Sequence, residues 1–179
     1  ITLAAPTKPS WLNFNTATGV LSGTPSNDDV GTHAVVLTAT DASGAVDTQS
    51  FNITVSNVND VPTISVTNGS LTEDSGTYTV SGTIVGSDVD VNTTLTYASN
   101  TSTGSYGTLS LNSGTGAYTY TLDNSNSNIQ SLKASETLTE SFTVSVSDGT
   151  AISSTSLSFT INGANDGPTG LTLSANSVV

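Results

Sequence analysis

The sequence predicts an all-β chain of tandem Greek-key β-sandwiches, and three observations support this fold class. Between residues 62 and 168 apolar and polar residues alternate with a period of two, and no helical period is sustained. Thr, Val and Tyr are enriched in the alternating runs, while Gly, Asn and Ser cluster between them. Seven short strands in about a hundred residues are typical of a Greek-key sandwich.

Two copies of the motif Asn-Asp-x-Pro, at 59–62 and 165–168, divide the chain. Their separation matches one domain of ordinary size. We therefore expect a complete sandwich over 61–167, preceded by a domain fragment at 1–60 and followed by the start of another repeat at 168–179. Residues 1–60 offer too few strands to close a sandwich, so we expect the opening strands of that domain to lie upstream in a longer polypeptide.

The alternation also predicts the individual strands and the core. In the middle segment the strands are 63–67, 77–85, 95–99, 106–111, 117–122, 138–147 and 152–161. In the first segment they are 11–14, 20–22, 33–40 and 48–56, with 1–4 as a further candidate. The predicted inward face is apolar and consists of Leu95, Tyr97, Tyr118, Tyr120, Leu122, Phe142, Val144, Val146, Leu157, Phe159 and Ile161. Ser and Thr fill the opposite faces, as expected of sheets with one solvated side.

Charge is scarce and strongly one-sided. Lys8 and Lys133 are the only cations beside fourteen acidic residues, and the net charge is −12. Such a chain repels nucleic acid and anionic membranes, and no apolar run is long enough to span a bilayer. There is no cysteine, so disulfides cannot stiffen the small cores that a 34% hydrophobic content allows. We therefore exclude nucleic acid and membrane insertion and expect another source of rigidity.

The acidic residues fall into two groups when loops are assigned to the ends of the middle sandwich. Because up-and-down strands reverse direction, successive loops lie at opposite ends. The end that the chain reaches from the linker holds the linker-end group, which consists of Asn59, Asp60, Asp88, Asp90 and Asp148. The other end holds the distal-end group, which consists of Glu73, Asp74, Asp123, Asn165 and Asp166.

Converging carboxylates of this kind call for a cation. Each pair at ~4 Å repels by on the order of 1 kcal/mol even in bulk water. Calcium accepts six to eight oxygens from Asp, Asn and backbone carbonyls, whereas zinc or copper would use His or Cys, and His33 is the one such residue in the chain. For each Asp or Asn taken singly, turn geometry is the better explanation. Their grouping by end favours calcium.

Two stretches of the chain resemble cadherin-like sandwich families. Residues 63–166 resemble the VCBS repeat of giant bacterial adhesins, through the runs LTEDSG at 71–76, SDVD at 87–90, YTYTLDN at 118–124 and FTVSVSDG at 142–149. Residues 10–60 resemble the later part of a dystroglycan-type cadherin-like domain of the Ig-like kind, through WLNF at 11–14, LSGTP at 21–25 and ATD at 39–41. The resemblance implies tandem cadherin/Ig-like sandwiches.

The resemblance also implies calcium ligands. At the linker end, Asp88 and Asp90 match an Asp-x-Asp ligand pair, and the other matching positions are Asn59, Asp60 and Asp148. At the distal end the matching positions are Glu73 and Asp123.

The first segment contributes further acids. Asp28 and Asp29 follow the Gly-Thr-Pro run and join the linker-end site, with Asp29 favoured, while Asp41 would serve an upstream junction. Asn57, Val61 and Ser125 depart from the cadherin pattern, which predicts weaker binding or fewer ions.

These features together predict a non-enzymatic, calcium-rigidified spacer of a large RTX-type adhesin on the bacterial cell surface. Calcium would clamp the interdomain linker, and the partners would be calcium ions and neighbouring repeats of the same chain. Any cell-surface or glycan ligand would bind through other domains.

Two alternatives use other residues. A hydrolase could use Asp88 and Asp90, but the sequence lacks a Gly-x-Ser-x-Gly elbow and nothing distinguishes an acid from a base. A glycan- or ligand-binding module would use aromatic stacking surfaces, for which the candidates are Trp11, Tyr78, Tyr97 and Tyr106.

Overall fold

The computed structural model describes residues 1–167, and these residues form strands, loops and one 3-10 helix at Asn27–Asp29. The strands are β1 (Thr2–Thr7), β2 (Leu12–Phe14), β3 (Leu21–Gly23), β4 (Gly31–Thr40), β5 (Val46–Val55), β6 (Thr63–Ser65), β7 (Gly69–Thr72), β8 (Thr79–Thr83), β9 (Val85–Ser87), β10 (Thr96–Ser99), β11 (Gly107–Leu111), β12 (Ala117–Leu122), β13 (Thr137–Ser147) and β14 (Ile152–Asn162). No α-helix occurs in this range, so the all-β prediction is confirmed. Across the same residues, no helix has the length and apolar character that a membrane span requires. The predicted repeat start at 168–179 lies outside the described residues.

The chain divides into two compact units. Among the described residues, unit 1 comprises 1–60 together with the loop 88–93, and unit 2 comprises 61–87 and 94–167. The loop 88–93 connects β9 with β10, which are both strands of unit 2, yet it belongs by its contacts to unit 1.

Unit 1 contains a three-stranded sheet in the order β1-β4-β5 and a separate β2-β3 ribbon. The β4-β5 hairpin pairs antiparallel from Gly31↔Val55 to Thr40↔Val46. Among its described side chains, Leu12 and Val35 are the buried hydrophobic ones. The core of unit 1 is therefore small.

Unit 2 has two principal sheets, in the orders β10-β13-β14-β7 and β11-β12-β8, and a β6-β9 pair. The long β13-β14 hairpin is antiparallel over eleven residue pairs, whereas β7 joins β14 in parallel. A parallel pair cannot be joined by a tight hairpin, so the chain must cross between sheets before it returns. This crossing is expected of the predicted Greek-key topology.

The core of unit 2 is aromatic at its centre. The rings of Tyr120 and Phe159 stack with centroids 4.2 Å apart, and Phe142 meets both rings edge-on. The predicted inward residues of β12, β13 and β14 are all buried, which confirms the core prediction for these strands, whereas the predicted core residues Leu95 and Tyr97 are only half-buried. Fully burying such a side chain contributes about 1.5–3 kcal/mol.

Two strand predictions for unit 2 were wrong in detail. The strand predicted at 77–85 is two strands, β8 and β9, which pair with β12 and β6 respectively. The break falls at Ile84, whose side chain is fully buried and whose N–H donates to Gly116 O. Strand β7 was missed because it is four residues long and begins with a glycine. Gly69 is required there, since a Cβ would lie 2.8 Å from the Phe159 ring.

Candidate metal sites

Four buried side-chain polar atoms in residues 1–167 lack a hydrogen-bond partner. One is Trp11 Nε1, and the other three are carboxylate oxygens, namely Asp88 Oδ2, Asp90 Oδ1 and Glu73 Oε2. A buried carboxylate oxygen without a partner is costly, and such groups are rare in native proteins. All three oxygens belong to residues that the sequence predicted as calcium ligands.

In unit 1 the acids of the loop 88–93 are linked in series to the Asn59-Asp60 segment. Asp60 N–H donates to Asp90 Oδ2 at 2.8 Å, and Asp90 N–H donates to Asp88 Oδ1 at 2.8 Å. Asp90 is only 8% exposed. In both Asp88 and Asp90, one carboxylate oxygen thus accepts a hydrogen bond and the other, the orphaned oxygen, has no partner. Both orphaned oxygens lie in one short loop.

Asp60 has a partner that sequence reasoning missed. Asn27 Nδ2 donates to Asp60 Oδ2 at 2.9 Å, and both residues line an open depression together with Ser26, Asp28 and Val89. The contact joins residues 33 positions apart, so no local sequence signal marks it. Unit 1 therefore gathers Asp28, Asp60 and the loop 88–93 around Asn27.

Asp29 serves its own turn. It caps the 3-10 helix, because its Oδ2 accepts from both the N–H and the hydroxyl of Ser26 at 2.8 Å. These hydrogen bonds lower the pKa of Asp29. His33 Nε2 lies 2.6 Å from Asp29 O, so the backbone of Asp29 is also fixed. These contacts belong to the turn, and the metal role of Asp29 stays a prediction.

Two other predicted ligands close hairpins. In unit 2, Asp148 Oδ1 accepts from the N–H groups of Thr150 and Ala151 in the β13-β14 turn. In unit 1, Asp41 Oδ1 accepts from Ser43 and Ala45 in the β4-β5 turn, and the Ser43 hydroxyl is the first cause of the lowered pKa of Asp41. Turn chemistry explains both positions, and their metal roles remain predictions.

At the distal end of unit 2, Glu73 is fully buried. Its Oε1 accepts from Ala164 N–H at 2.8 Å, while Oε2 is the orphaned oxygen. Its own N–H donates to Asn162 O, so the segment after β7 is tied to the end of β14. A buried carboxylate with half its acceptor capacity unused is a candidate cation ligand.

Asp74, the next residue, is exposed but well supplied with donors. Its Oδ1 accepts from Asn124 Nδ2 at 2.7 Å and from Gln130 Nε2 at 3.2 Å. Asn124, and then Gln130, lower the pKa of Asp74. A side-chain hydrogen bond with Asp166 is a further, smaller cause of the lowered pKa of Asp74.

Asp123 and Asn165 complete the predicted distal group. Asp123 Oδ1 accepts from the N–H and hydroxyl of Ser125, and Asp123 N–H donates to Tyr106 O. Asn165 Nδ2 donates to Asp166 O at 3.2 Å, and Asn59 Nδ2 makes the same bond to Asp60 O at 2.8 Å. The repeated Asn-Asp motif therefore has the same local hydrogen bond at both occurrences.

The aromatic candidates for glycan stacking pack inward. Tyr78, Tyr97 and Tyr106 are partly buried against the unit 2 core. Trp11 meets His33 edge-on with ring centroids 5.7 Å apart. These contacts give the four rings a packing role.

The donor set fits calcium in type. Within the described residues, no three His, Cys, Asp or Glu side chains lie together in a way that could hold a metal ion. Calcium also accepts amide and backbone carbonyl oxygens, so a site here must combine the orphaned carboxylate oxygens with such donors. At the linker end the available residues are Asn27, Asn59, Asp60, Asp88 and Asp90. At the distal end they are Glu73, Asp74, Asp123, Asn165 and Asp166.

Solved structures with a similar fold are cadherin ectodomains. A structure of protocadherin gamma B2 extracellular cadherin domains 3–6 aligns with a TM-score of 0.57 at 18% identity, over 90% of this chain and 39% of that one. Human mucin-like protocadherin EC1-2 aligns with a TM-score of 0.52 at 17% identity, over 92% of this chain and 85% of that one. At these identities the likeness establishes the cadherin/Ig-like sandwich fold.

A hydrolase also aligns, but with a weaker score. An endo-fucoidan hydrolase of glycoside hydrolase family 107 gives a TM-score of 0.39 at 24% identity, over 90% of this chain and 23% of that one, which is too low to carry an argument. This chain thus spans well under two thirds of the protocadherin gamma B2 and hydrolase structures. No curated protein sequence matches the chain.

Two family models match the chain in succession. Residues 1–56 match the family described as "Putative Ig domain". Residues 59–163, more than half of the chain, match the family described as "Bacterial cadherin-like domain". Cadherin-like domains are extracellular, adhesion-type modules. On this match, and with a fold shared with cadherin ectodomains, the chain belongs to the bacterial cadherin-like domain family.

Proposed function

We propose that this chain is a calcium-rigidified spacer segment of a large bacterial cell-surface adhesin of the RTX type. The observation that carries the proposal is the set of three buried, unpartnered carboxylate oxygens on Asp88, Asp90 and Glu73. Burying a charge without a partner strongly opposes folding, whereas a bound cation would supply the missing partner. Calcium, when bound, would offset the charge of these carboxylates and be coordinated by their free oxygens.

Chain connectivity explains how binding would stiffen the protein. Asp88 and Asp90 lie in the connection between β9 and β10, and Asn59 and Asp60 directly precede the unit 2 strands. A cation that binds both segments would cross-link the linker to a loop 30 residues further along the chain. The linker would then lose its freedom to bend, and a series of such repeats would become a stiff spacer.

The expected affinity matches an extracellular setting. Extracellular calcium modules bind with dissociation constants of about 0.1–1 mM, so they fill outside the cell and stay empty at cytosolic calcium levels. The membership of a cadherin-like family supports this location, and the acidic surface, with its net charge of −12, supports calcium over an anionic partner. We propose no enzymatic activity, since membership of a cadherin-like family favours an adhesion-type, non-enzymatic module.

Small-angle X-ray scattering with calcium and with chelator tests the spacer function. We expect calcium to narrow the distribution of particle dimensions and to raise the melting temperature of the full chain. The Asp88→Asn, Asp90→Asn double variant should lose the narrowing and the larger part of the rise in melting temperature, and the distal end should supply the rest. It should keep the turn hydrogen bonds of the loop. A matched control, Asp47→Asn with Glu136→Gln, removes the same charge from exposed positions and should respond like the parent. Identical scattering with and without calcium would refute the proposal.

A further inference from the structure

Glu140 is a buried acid that the two proposed calcium sites do not use. It lies on the inward face of β13 beside Phe142 and is 5% exposed. Both of its oxygens accept hydrogen bonds, Oε2 from the Tyr120 hydroxyl at 2.7 Å and Oε1 from Tyr106 N–H at 2.9 Å. Burial, followed by the hydrogen bond from Tyr120 to Glu140, raises the pKa of that hydroxyl well above its ordinary value. Tyr120 therefore stays a donor, and the carboxylate is fully engaged.

Burying a carboxylate in an aromatic core costs free energy, which its hydrogen bonds must offset. We therefore ask which backbone these hydrogen bonds hold in place. The hydrogen bond from Tyr106 N–H joins the carboxylate of Glu140 to a loop. Tyr106 N–H belongs to the loop between β10 and β11, and Gly104 in that loop lies directly against the carboxylate. A Cβ at Gly104 would come within 2.3 Å of Glu140 Cδ, so any other residue there would push the carboxylate aside. Glu140 thus fixes the backbone of the loop at 104–106.

The fixed loop in turn holds the start of the loop that follows β12. Tyr106 O accepts from Asp123 N–H at 2.8 Å, and Ser105 O accepts from Asn126 Nδ2 at 2.9 Å. Asp123 is one of the predicted ligands of the distal end, and Asn124 beside it holds Asp74. A single residue, Tyr106, therefore donates to the buried acid through its N–H and accepts from the candidate ligand through its carbonyl.

We propose that Glu140 is a positioning residue for the distal-end calcium site, which it sets through the backbone of Tyr106 and Asp123; this rests on the calcium function proposed above. Replacing an outer partner of a metal ligand typically weakens metal affinity by roughly 10–100-fold. Glu140 acts at one remove from the ligand, so we expect the lower end of that range.

The test measures calcium binding by titration calorimetry in the full chain carrying Asp88→Asn and Asp90→Asn, so that the remaining heat comes from the distal end. In this background Glu140→Leu should weaken calcium binding by roughly tenfold. Glu140→Gln should bind like the background, because its carbonyl still accepts from Tyr106 N–H while its amide donates to the Tyr120 oxygen. Val144→Ala, a buried position in the same strand without a link to Tyr106, is the control for lost core stability.

Amide hydrogen exchange without calcium provides the second readout. Glu140→Leu should expose the Asp123 amide to faster exchange, and Val144→Ala should not do so selectively. If Glu140→Leu does not fold, Gly104→Ala is used, since its Cβ displaces the carboxylate from Tyr106 N–H, and the same two effects are expected. If the background binds no calcium, the function proposed for the distal end fails and exchange at Asp123 alone decides the role of Glu140. Binding and exchange in both Glu140→Leu and Gly104→Ala that match Val144→Ala would overturn the proposal.

Discussion

The two acidic ends differ in how their carboxylates are satisfied. At the linker end, Asp88 and Asp90 each keep one buried oxygen without a partner, and the two residues belong to the same short loop. At the distal end, Glu73 has one such oxygen, while Asp74 beside it is supplied by the amides of Asn124 and Gln130. Neutral amides thus donate hydrogen bonds to the Asp74 carboxylate at the distal end, whereas Asp88 and Asp90 at the linker end each keep an oxygen without a donor. The linker end should depend more strongly on calcium.

The largest expected effect separates packing from metal binding. Phe159→Ala removes a fully buried ring that stacks on Tyr120 and should lower the free energy of unfolding of unit 2 by about 3–5 kcal/mol. Because this loss comes from the cavity, it should be equal in calcium and in chelator. Urea unfolding followed by tyrosine fluorescence measures both values. A loss that depended on calcium would place the core and the metal in one cooperative unit and break the comparison.

The next effect concerns the linker end alone. Asp90→Asn should remove the calcium-dependent part of the stability, which at a hundredfold excess over the dissociation constant is about 2.7 kcal/mol. In chelator the sign should reverse, because the variant no longer buries an unpaired charge in the loop. Thermal unfolding in both conditions detects the reversal. Equal destabilisation in calcium and chelator would indicate an ordinary structural role for Asp90.

Glu73→Gln makes the corresponding change at the distal end. Without calcium, the neutral amide should be easier to bury than the carboxylate, and the variant should be more stable than the parent, because the buried charge is gone although the group at the Oε2 position still lacks a partner. In calcium it should lose the distal increment, and that increment should be smaller than the one lost in Asp90→Asn. Chemical unfolding of the two variants side by side tests this ranking. A larger calcium increment at Glu73 would invert the comparison.

The smallest effect is a pH effect at Asp74. Its pKa is lowered in the folded protein by Asn124 and then Gln130. The contribution to stability is therefore present above the ordinary pKa of 3.8 and is lost as the pH falls below that value through the folded pKa. Asn124→Ala should raise the pKa of Asp74 and move the onset of acid unfolding to slightly higher pH. Carboxyl NMR titration measures the pKa of Asp74 directly. An unchanged value in Asn124→Ala would show that Asn124 does not lower this pKa.

Sequence patterns predicted the fold well because the core of unit 2 is regular. The inward residues of β12, β13 and β14 alternate strictly, and each of them is buried. Strand β7 was missed because its parallel partner lies some ninety residues away and because its first residue, Gly69, completes an Asn-Gly pair that is typical of a turn. The split between β8 and β9 was also missed, because both strands continue the same alternation although β8 pairs with β12 and β9 pairs with β6.

The sequence indicated which residue types would form the candidate sites, but it did not indicate their long-range hydrogen-bond partners. Asp88 and Asp90 were marked by their spacing, and Glu73 by the assignment of loops to ends and by the resemblance of the run at 71–76. Asn27, which holds Asp60, carries a turn residue's ordinary signature and gave no sign of a contact 33 residues away. Glu140 sits in an inward position of a strand, where alternation predicts an apolar side chain. Long-range polar pairing of this kind follows from the fold and cannot be found from local pattern.

Calorimetric titration of calcium into the full chain, the Asp88→Asn, Asp90→Asn variant and the charge-matched control Asp47→Asn, Glu136→Gln tests the central claim most directly. We expect the parent and the control to bind with dissociation constants of about 0.1–1 mM, as extracellular calcium modules do. The Asp88→Asn, Asp90→Asn variant should lose the tighter phase and keep only the distal one. Absence of binding in the parent, or unchanged binding in that variant, would contradict the assignment of the orphaned carboxylate oxygens to calcium.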